Sequence, residues 1–362
     1  MKYGVSLDWL ALYVRFNRGE FTPLALPTGH LAGLWNWGYK QAPHGTKQFS
    51  KLHHVYFEGE PFAEVQSAPH SEILQINTGI VKFDNRLLYQ SNLWDCVHCF
   101  LEQHEIEILS ISRVDICADF NSFACYDCRQ FVEDFLNNII RHKGRGIGAA
   151  YFNHYAKRCG VFSQSVVKYT GLTFGSRESG VRVYLYNKTF ELNTNKNKPY
   201  IRDFWYNIGL DTTKDVWRLE VSITAAGRKF KDKETGEKKE IYENDLSNAP
   251  ELVKLYHTFE KKYFAFVRNR PNITNITREP VLKLFDDYPV YKHGTINDKS
   301  CSNRTERILI KQLWQMSQKY RGYDIHSDEG LTKSLAQSLA SACDLDTWLR
   351  HKQNSWDKPD KK

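Results

Sequence analysis

The sequence predicts an α+β fold: a central, mostly antiparallel sheet with helices packed on one face, followed by a helical C-terminal region. Three observations predict it. Segments that alternate with period two crowd the first two thirds of the chain, and segments with helical spacing crowd the last third. Three of the strands each set apolar residues on one face and charged or tyrosine residues on the other. No internal repeat and no low-complexity domain interrupts this layout. A chain of 362 residues suits roughly two domains, and the change of pattern divides it into 1–240 and 241–362.

Taken in order, residues 5–16 (VSLDWLALYVRF) read as the first strand. A loop rich in Pro and Gly follows, from Pro23 to Gly45, and then extended segments at 51–57 and 72–81, separated by Gly59, Pro61 and Pro69. Residues 90–104 have helical spacing, 106–120 alternate as a long strand, and 124–143 carry a second helical stripe of Phe131, Phe135, Leu136, Ile139 and Ile140. The basic loop at 141–148 contains three glycines but lacks the spacing of a phosphate-binding P-loop. Strands at 150–155, 165–174 and 181–188 lead into a loop at 193–199 and a strand at 216–224. Residues 227–241 (GRKFKDKETGEKKEI) form an exposed, charged insertion turned by glycine. Helices at 245–267, 302–320 and 331–350 close the chain, before a frayed end at NSWDKPDKK.

Composition narrows the class. Hydrophobic residues make up 41% and charged residues 25%, as in ordinary globular proteins. No apolar run approaches the ~20 residues needed to cross a bilayer. Asp8 and Arg15 interrupt the apolar N-terminal stretch, which excludes a signal peptide. Both facts predict a cytoplasmic protein with no membrane partner. Lys and Arg exceed Asp and Glu by a net +8, and the pI of about 8.9 suits contact with polyanions. Two close cysteine pairs, Cys96/Cys99 and Cys125/Cys128, have zinc-ribbon spacing. Each pair lies in or beside an amphipathic helical stripe, however, where cysteine serves as a small core residue.

Three strands carry the chemistry. In FGSRESGVRVYLYNKTFE, Val181, Val183 and Leu185 share one face, while Arg182, Tyr184, Tyr186 and Lys188 share the other. In ISRVDICADF, Val114, Ile116, Ala118 and Phe120 oppose Arg113, Asp115, Cys117 and Asp119. In VWRLEVSI, Trp217, Leu219, Val221 and Ile223 oppose Arg218 and Glu220. Acidic residues are disfavoured in strands, so repeated ones need a cause: cross-strand ion pairs or a divalent cation held by oxygen ligands. Asp115 and Asp119 stand four residues, about 13 Å, apart along a regular strand. Asp115 with Glu220 on a neighbouring strand is therefore the better pair for one ion.

These three blocks, in this order, resemble the replication-initiator family of staphylococcal tetracycline- and chloramphenicol-resistance plasmids. Its relatives include conjugative-element relaxases and the rolling-circle initiators of filamentous vibriophages. The family's blocks are matched here by RVDICADF, by FGSRES followed by VYLYNK, and by WRLE, and the resemblance spans residues 5 to 224. It implies a rolling-circle initiator in a bacterial host cell. Such an enzyme nicks one strand of an origin with a tyrosine, keeps the end as a 5′-phosphotyrosine and leaves a 3′-hydroxyl primer. By position the nucleophile is Tyr186, with Lys188 and Arg182 as its cations and Asp115, Glu220 and Asp119 as ligands of Mg²⁺ or Mn²⁺. Residues 1–240 would then be the nicking and DNA-binding domain. The implied partners are double-stranded origin DNA, single-stranded DNA, a host helicase and a polymerase, with a homodimer as one assembly. Tyr184 stands where plasmid members often carry a basic residue, so it is a second candidate nucleophile. Two other classes fit the same residues: a non-catalytic DNA-binding repressor, and a metal-dependent nuclease using water.

Overall fold

The computed structural model describes residues 1–24, 37–71, 74–143, 149–155, 167–176, 178–194, 198–231, 236–270 and 278–286. Its centre is a ten-stranded sheet. In chain order the strands are β1 (Tyr3–Phe16), β2 (Trp37–Gln41), β3 (Phe49–Phe57), β4 (Glu60–Pro69), β5 (Thr78–Phe83), β6 (Ile106–Phe120), β8 (Ala149–Tyr155), β9 (Val167–Phe174), β10 (Val181–Asn187) and β11 (Trp217–Thr224). A short strand, β7 (Ile140–His142), pairs outside this sheet with β14 (Phe266–Arg268), and β12 (Lys229–Lys231) pairs with β13 (Lys238–Glu240). The spatial order of the large sheet is β2-β3-β4-β5-β1-β6-β11-β10-β9-β8. Every neighbouring pair in it is antiparallel.

The α+β class holds. The helices are α1 (Leu93–Gln103), α2 (Cys128–Leu136), α3 (Lys188–Thr194), α4 (Pro199–Asn207), α5 (Glu243–Ser247) and α6 (Ala249–Tyr263). Period-two alternation puts Leu10, Leu12, Val14, Val114, Ile116, Leu185 and Leu219 on one face, all fully buried. Burying such a side chain contributes about 1.5–3 kcal/mol. Helices α1, α2 and α6 cover this face. Phe100 of α1 packs on Phe62 and Phe83, Phe135 of α2 packs on Phe174, and Tyr256 of α6 packs on Phe285, which in turn meets Phe120. Helix α4 lies on the opposite face, at one end. A Cβ on Gly4 would stand 2.5 Å from Ile208, just past α4, and 3.0 Å from Phe204 within it.

Several elements differ from the sequence reading. Strand β4 occupies what Gly59, Pro61 and Pro69 had marked as a break. Glu58 and Gly59 both have positive φ, 52° and 81°, and close a two-residue hairpin between β3 and β4. Pro61 sits at a register shift, where no ladder N–H is required. Helix α2 ends at Leu136 because Asn138 adopts a left-handed φ of 57°, and Ile140 then opens β7. The loop expected at 193–199 is flanked by α3 and α4, the latter opening with Pro199, a residue preorganised for a first helical turn. The helix expected over 245–267 is two helices, broken at Asn248, whose side chain caps α6 through the Glu251 N–H.

Residues Met1–Asn297 form one compact unit, so α5 and α6 belong with the sheet although they follow residue 240. Asp298–Lys362 form a second unit, and the helices expected at 302–320 and 331–350 lie outside the described residues, as does most of the basic loop at 141–148. No helix among the described residues is long and apolar enough to cross a membrane.

Candidate active site

The second face of the sheet carries the polar residues of β1, β6, β10 and β11. Tyr186 is the last polar-face residue of β10. The next residue, Asn187, stops the strand: its Oδ1 accepts the Phe190 N–H at 2.8 Å and so caps α3. That places Lys188 at the first helical position, fixed by its N–H on Val216 O at 2.9 Å. The strand-cap-helix sequence Tyr-Asn-Lys thus folds the lysine back over the tyrosine. The Lys188 side chain is buried, donates to the Tyr186 oxygen at 3.3 Å and pairs with Glu191 at 2.6 Å. Opposite Tyr186 on β9 stands Gly171, where a Cβ would lie 2.9 Å from the Tyr186 Cβ and 2.3 Å from Leu185 O. Glycine leaves the room the phenol uses.

The Tyr186 hydroxyl donates to Glu220 Oε2 at 2.8 Å. Cross-strand register pairs Glu220 with Tyr184, so the carboxylate leans diagonally to reach Tyr186. Tyr184 instead lies under Arg182, whose guanidinium carbon is 4.9 Å from its ring. Of the two candidate tyrosines, Tyr186 has both the carboxylate and the cation. Arg182 serves Tyr184 and makes no described contact with Tyr186.

The carboxylates form a coupled group. Burial, then the charges of Asp8 and Asp115, push the Glu220 carboxyl up to about 8. Burial likewise raises Asp115, against the opposing pull of Arg113, which holds it by two bonds of 3.0 and 2.6 Å. For Tyr186, burial and then the Glu220 charge raise the phenol well above its ordinary value.

Asp119 has a different place. It is fully buried, with Arg218 on both oxygens at 2.6 and 2.7 Å and the Trp205 indole N–H at 2.7 Å. With both oxygens occupied and no exposure, it holds Arg218 in the sheet and is not free to ligate a metal. Sequence reasoning, in turn, missed Asp8. A register shift between Leu7 and Trp9 makes Asp8 the extra residue of a β-bulge, aimed at the polar face. Arg218 pairs with it, and Tyr89 and Asn85 donate to it at 3.2 and 3.3 Å. Burial opposes its ionisation, but Arg218, Lys188 and Lys198 outweigh burial and hold its pKa far below the usual carboxylate range. The signal was present in the sequence: the apolar alternation Val5, Leu7 resumes one residue out of phase at Leu10, Leu12, Val14.

Among the described residues no three His, Cys, Asp or Glu side chains stand close enough to hold a metal by themselves. The donor chemistry nonetheless fits a hard cation. Glu220 Oε1 has no hydrogen bond among the described residues, and the field of Asp8 and Asp115 that keeps a proton on Glu220 would stabilise a divalent ion. Mg²⁺ commonly takes one or two carboxylates and completes its shell with water and substrate phosphate. The cysteine pairs lie elsewhere: Cys96 and Cys99 on α1, Cys128 buried at the start of α2, and exposed Cys125 donating to Lys283 O at 3.1 Å.

No protein-family model matches the chain, and no curated protein matches it in sequence. Among solved structures it is similar to a rolling-circle replication initiator protein from Geobacillus stearothermophilus, at 12% identity and a TM-score of 0.41, over 78% of this chain and 93% of that one. An overlap that loose fixes neither fold nor activity.

Proposed function

We propose that this protein is a rolling-circle DNA replication initiator, an endonuclease that nicks and recloses one strand of an origin with Tyr186 as nucleophile. The observation that carries the reading is the Tyr186 phenol held between the Glu220 carboxylate at 2.8 Å and the Lys188 ammonium at 3.3 Å, on the polar face of the sheet. The resemblance of the three strand motifs supports it.

The chemistry follows from these groups. A phenol is a weak nucleophile until its proton is removed. A carboxylate whose pKa is raised to about 8 is a stronger base than an ordinary one and is matched to working pH. Glu220 takes the proton, and Lys188 stabilises the phenolate as its oxygen attacks phosphorus. The new bond joins Tyr186 to the 5′ phosphate, the bond to the 3′ oxygen breaks, and that oxygen is protonated by solvent. The phosphotyrosine keeps the energy of the broken diester, so the reverse attack recloses the strand. Glu220 would hold Mg²⁺ or Mn²⁺, with Asp115 joining it only by giving up the Arg113 bonds that occupy both its oxygens; when bound, the ion supplies charge neutralisation at the scissile phosphate. Asp8, clamped by Arg218, keeps the local field negative.

The test is covalent trapping. Wild-type protein is incubated with supercoiled plasmid bearing the origin and a divalent metal, then denatured. Nicked DNA linked to protein is the expected product. Tyr186→Phe should lose adduct and nick together while melting within about 2 °C of wild type; Tyr184→Phe should retain both. If Tyr184→Phe alone loses the adduct, the nucleophile is Tyr184. If neither does, the tyrosine mechanism fails, and a water-activating nuclease or a non-catalytic DNA-binding protein takes its place.

A further inference from the structure

The β12–β13 hairpin is the charged insertion that the candidate active site does not use. Its base is rigid. Arg228 donates to Ser110 Oγ at 2.7 Å and to Ile111 O at 3.3 Å on β6, and pairs with Glu240 at 2.7 Å. Gly227 lies so close to Gly180 that a Cβ there would stand 2.1 Å from the Gly180 oxygen. Phe230 packs on Phe259 of α6, ring centroids 5.1 Å apart. Between this hairpin and the first turns of α6 runs a groove of about 840 Å³ whose walls carry Lys229, Lys231, Lys238 and Lys254.

Two independent observations point to an anion. The first is that the carboxylates in the groove are already engaged. Glu240 pairs with Arg228 and Lys229, Asp245 accepts the Tyr242 N–H at 2.8 Å, and Glu251 lies 3.9 Å from Lys254. The second is that Lys231 and Lys238 are direct cross-strand partners. Like charges facing each other across a ladder destabilise it, and neither lysine has an ion pair among the described residues. Nothing among the described residues offsets this repulsion, whereas a shared anion would. Tyr242, 64% exposed, stands at the groove's mouth.

We infer that this groove binds the phosphate backbone of double-stranded DNA beside the nick, a contact separate from the chemistry at Tyr186. This rests on the reading of the protein as a DNA-nicking initiator. Several ammonium groups with one exposed ring suit backbone contact better than the stacking of successive bases, and a duplex presents its phosphates in a fixed row to a hairpin anchored at its base. Lys229 lies nine positions after Glu220, at most about 30 Å of extended chain, within one turn of duplex, about 34 Å.

The experiment measures fluorescence anisotropy of a labelled random-sequence duplex of about 25 base pairs, over a salt series, with wild type and Lys231→Gln/Lys238→Gln. The variant should bind about tenfold more weakly near 0.1 M salt. Its log-log salt slope should be shallower by about two, each phosphate contact contributing about 0.9. Its melting temperature should be unchanged or higher, because a repulsion is removed. Should the double variant fail to fold, Lys254→Gln alone should shift the slope by about one. Unchanged duplex affinity and slope overturn the inference, including the case where the variant loses only an acidic protein partner. The two readings fail separately: loss of the Tyr186 adduct leaves the duplex measurement untouched, and an unchanged slope leaves the adduct untouched.

Discussion

Glu220 ties the site to pH through a single side chain. Its carboxyl is raised from an ordinary 4.5 to about 8 by burial and by Asp8 and Asp115. Between those values the folded chain binds a proton that the unfolded chain has released, so stability is fully present below about 4.5 and falls as pH rises toward 8. The loss is on the order of a few kcal/mol at most. Melting temperature should therefore drop between pH 5 and pH 8.5, and Glu220→Gln should flatten that part of the profile. Mg²⁺ or Mn²⁺ should raise the melting temperature more at pH 8 than at pH 6, because a protonated Glu220 must give up its proton to ligate. A metal effect that is equal at both pH values would remove Glu220 from the ligand set.

At the scale of elements, β11 does most to join the site to the fold, through Arg218. That guanidinium is fully buried and binds Asp119, Asp8 and the Tyr89 hydroxyl. Arg218→Met would leave two carboxylates buried without their partner, a change worth about 3–5 kcal/mol. A urea midpoint shifted by less than 1 kcal/mol equivalent would show that the network reorganises. The cap on α3 is a smaller device with a functional readout. Asn187→Ala should cost about 1 kcal/mol and, by releasing Lys188 from its place over Tyr186, should slow nicking at saturating DNA more than it weakens binding. Equal loss in both would mean that Lys188 only binds phosphate. These elements also show what the sequence made legible. The half-buried strands were readable because side-chain period two is local, and three of them carried Tyr186, Asp115 and Glu220 to one face. Asp119 was misplaced because a strand pattern gives the face but not the partner: only the register, which sets Arg218 opposite Asp119, shows that its oxygens are occupied. Asp8 was missed because a bulge shifts the alternation by one residue, and β4 because prolines at a register shift look like breakers.

The whole sheet sets how rigid the site can be. Strand β6 is paired along its length by β1 on one side and, from Arg113 to Phe120, by β11 on the other, while β2 and β8 are edges with one neighbour each. Asp8, Asp115 and Glu220 thus sit on the three central strands, and Tyr186 on the next one out. The backbones of Asp115, Glu220 and Tyr186 are fixed by ladders on both sides, Asp8 is held in its bulge between paired neighbours, and each strand's apolar face is sealed into a single core. Amides in the doubly paired stretches of β1, β6 and β11 can exchange only when the core opens, whereas those of the edges can exchange through local fraying. Native-state hydrogen exchange should accordingly give the slowest amides in β6, β1 and β11, with free energies near that of global unfolding, and faster ones in β2. The same order should hold in Tyr186→Phe, which removes one hydroxyl from the polar face and nothing from the ladders. Exchange in β6 as fast as in β2 would mean that the sheet does not open as one cooperative unit. The carboxylates and the phenol would then lack the fixed frame that in-line attack on phosphorus requires.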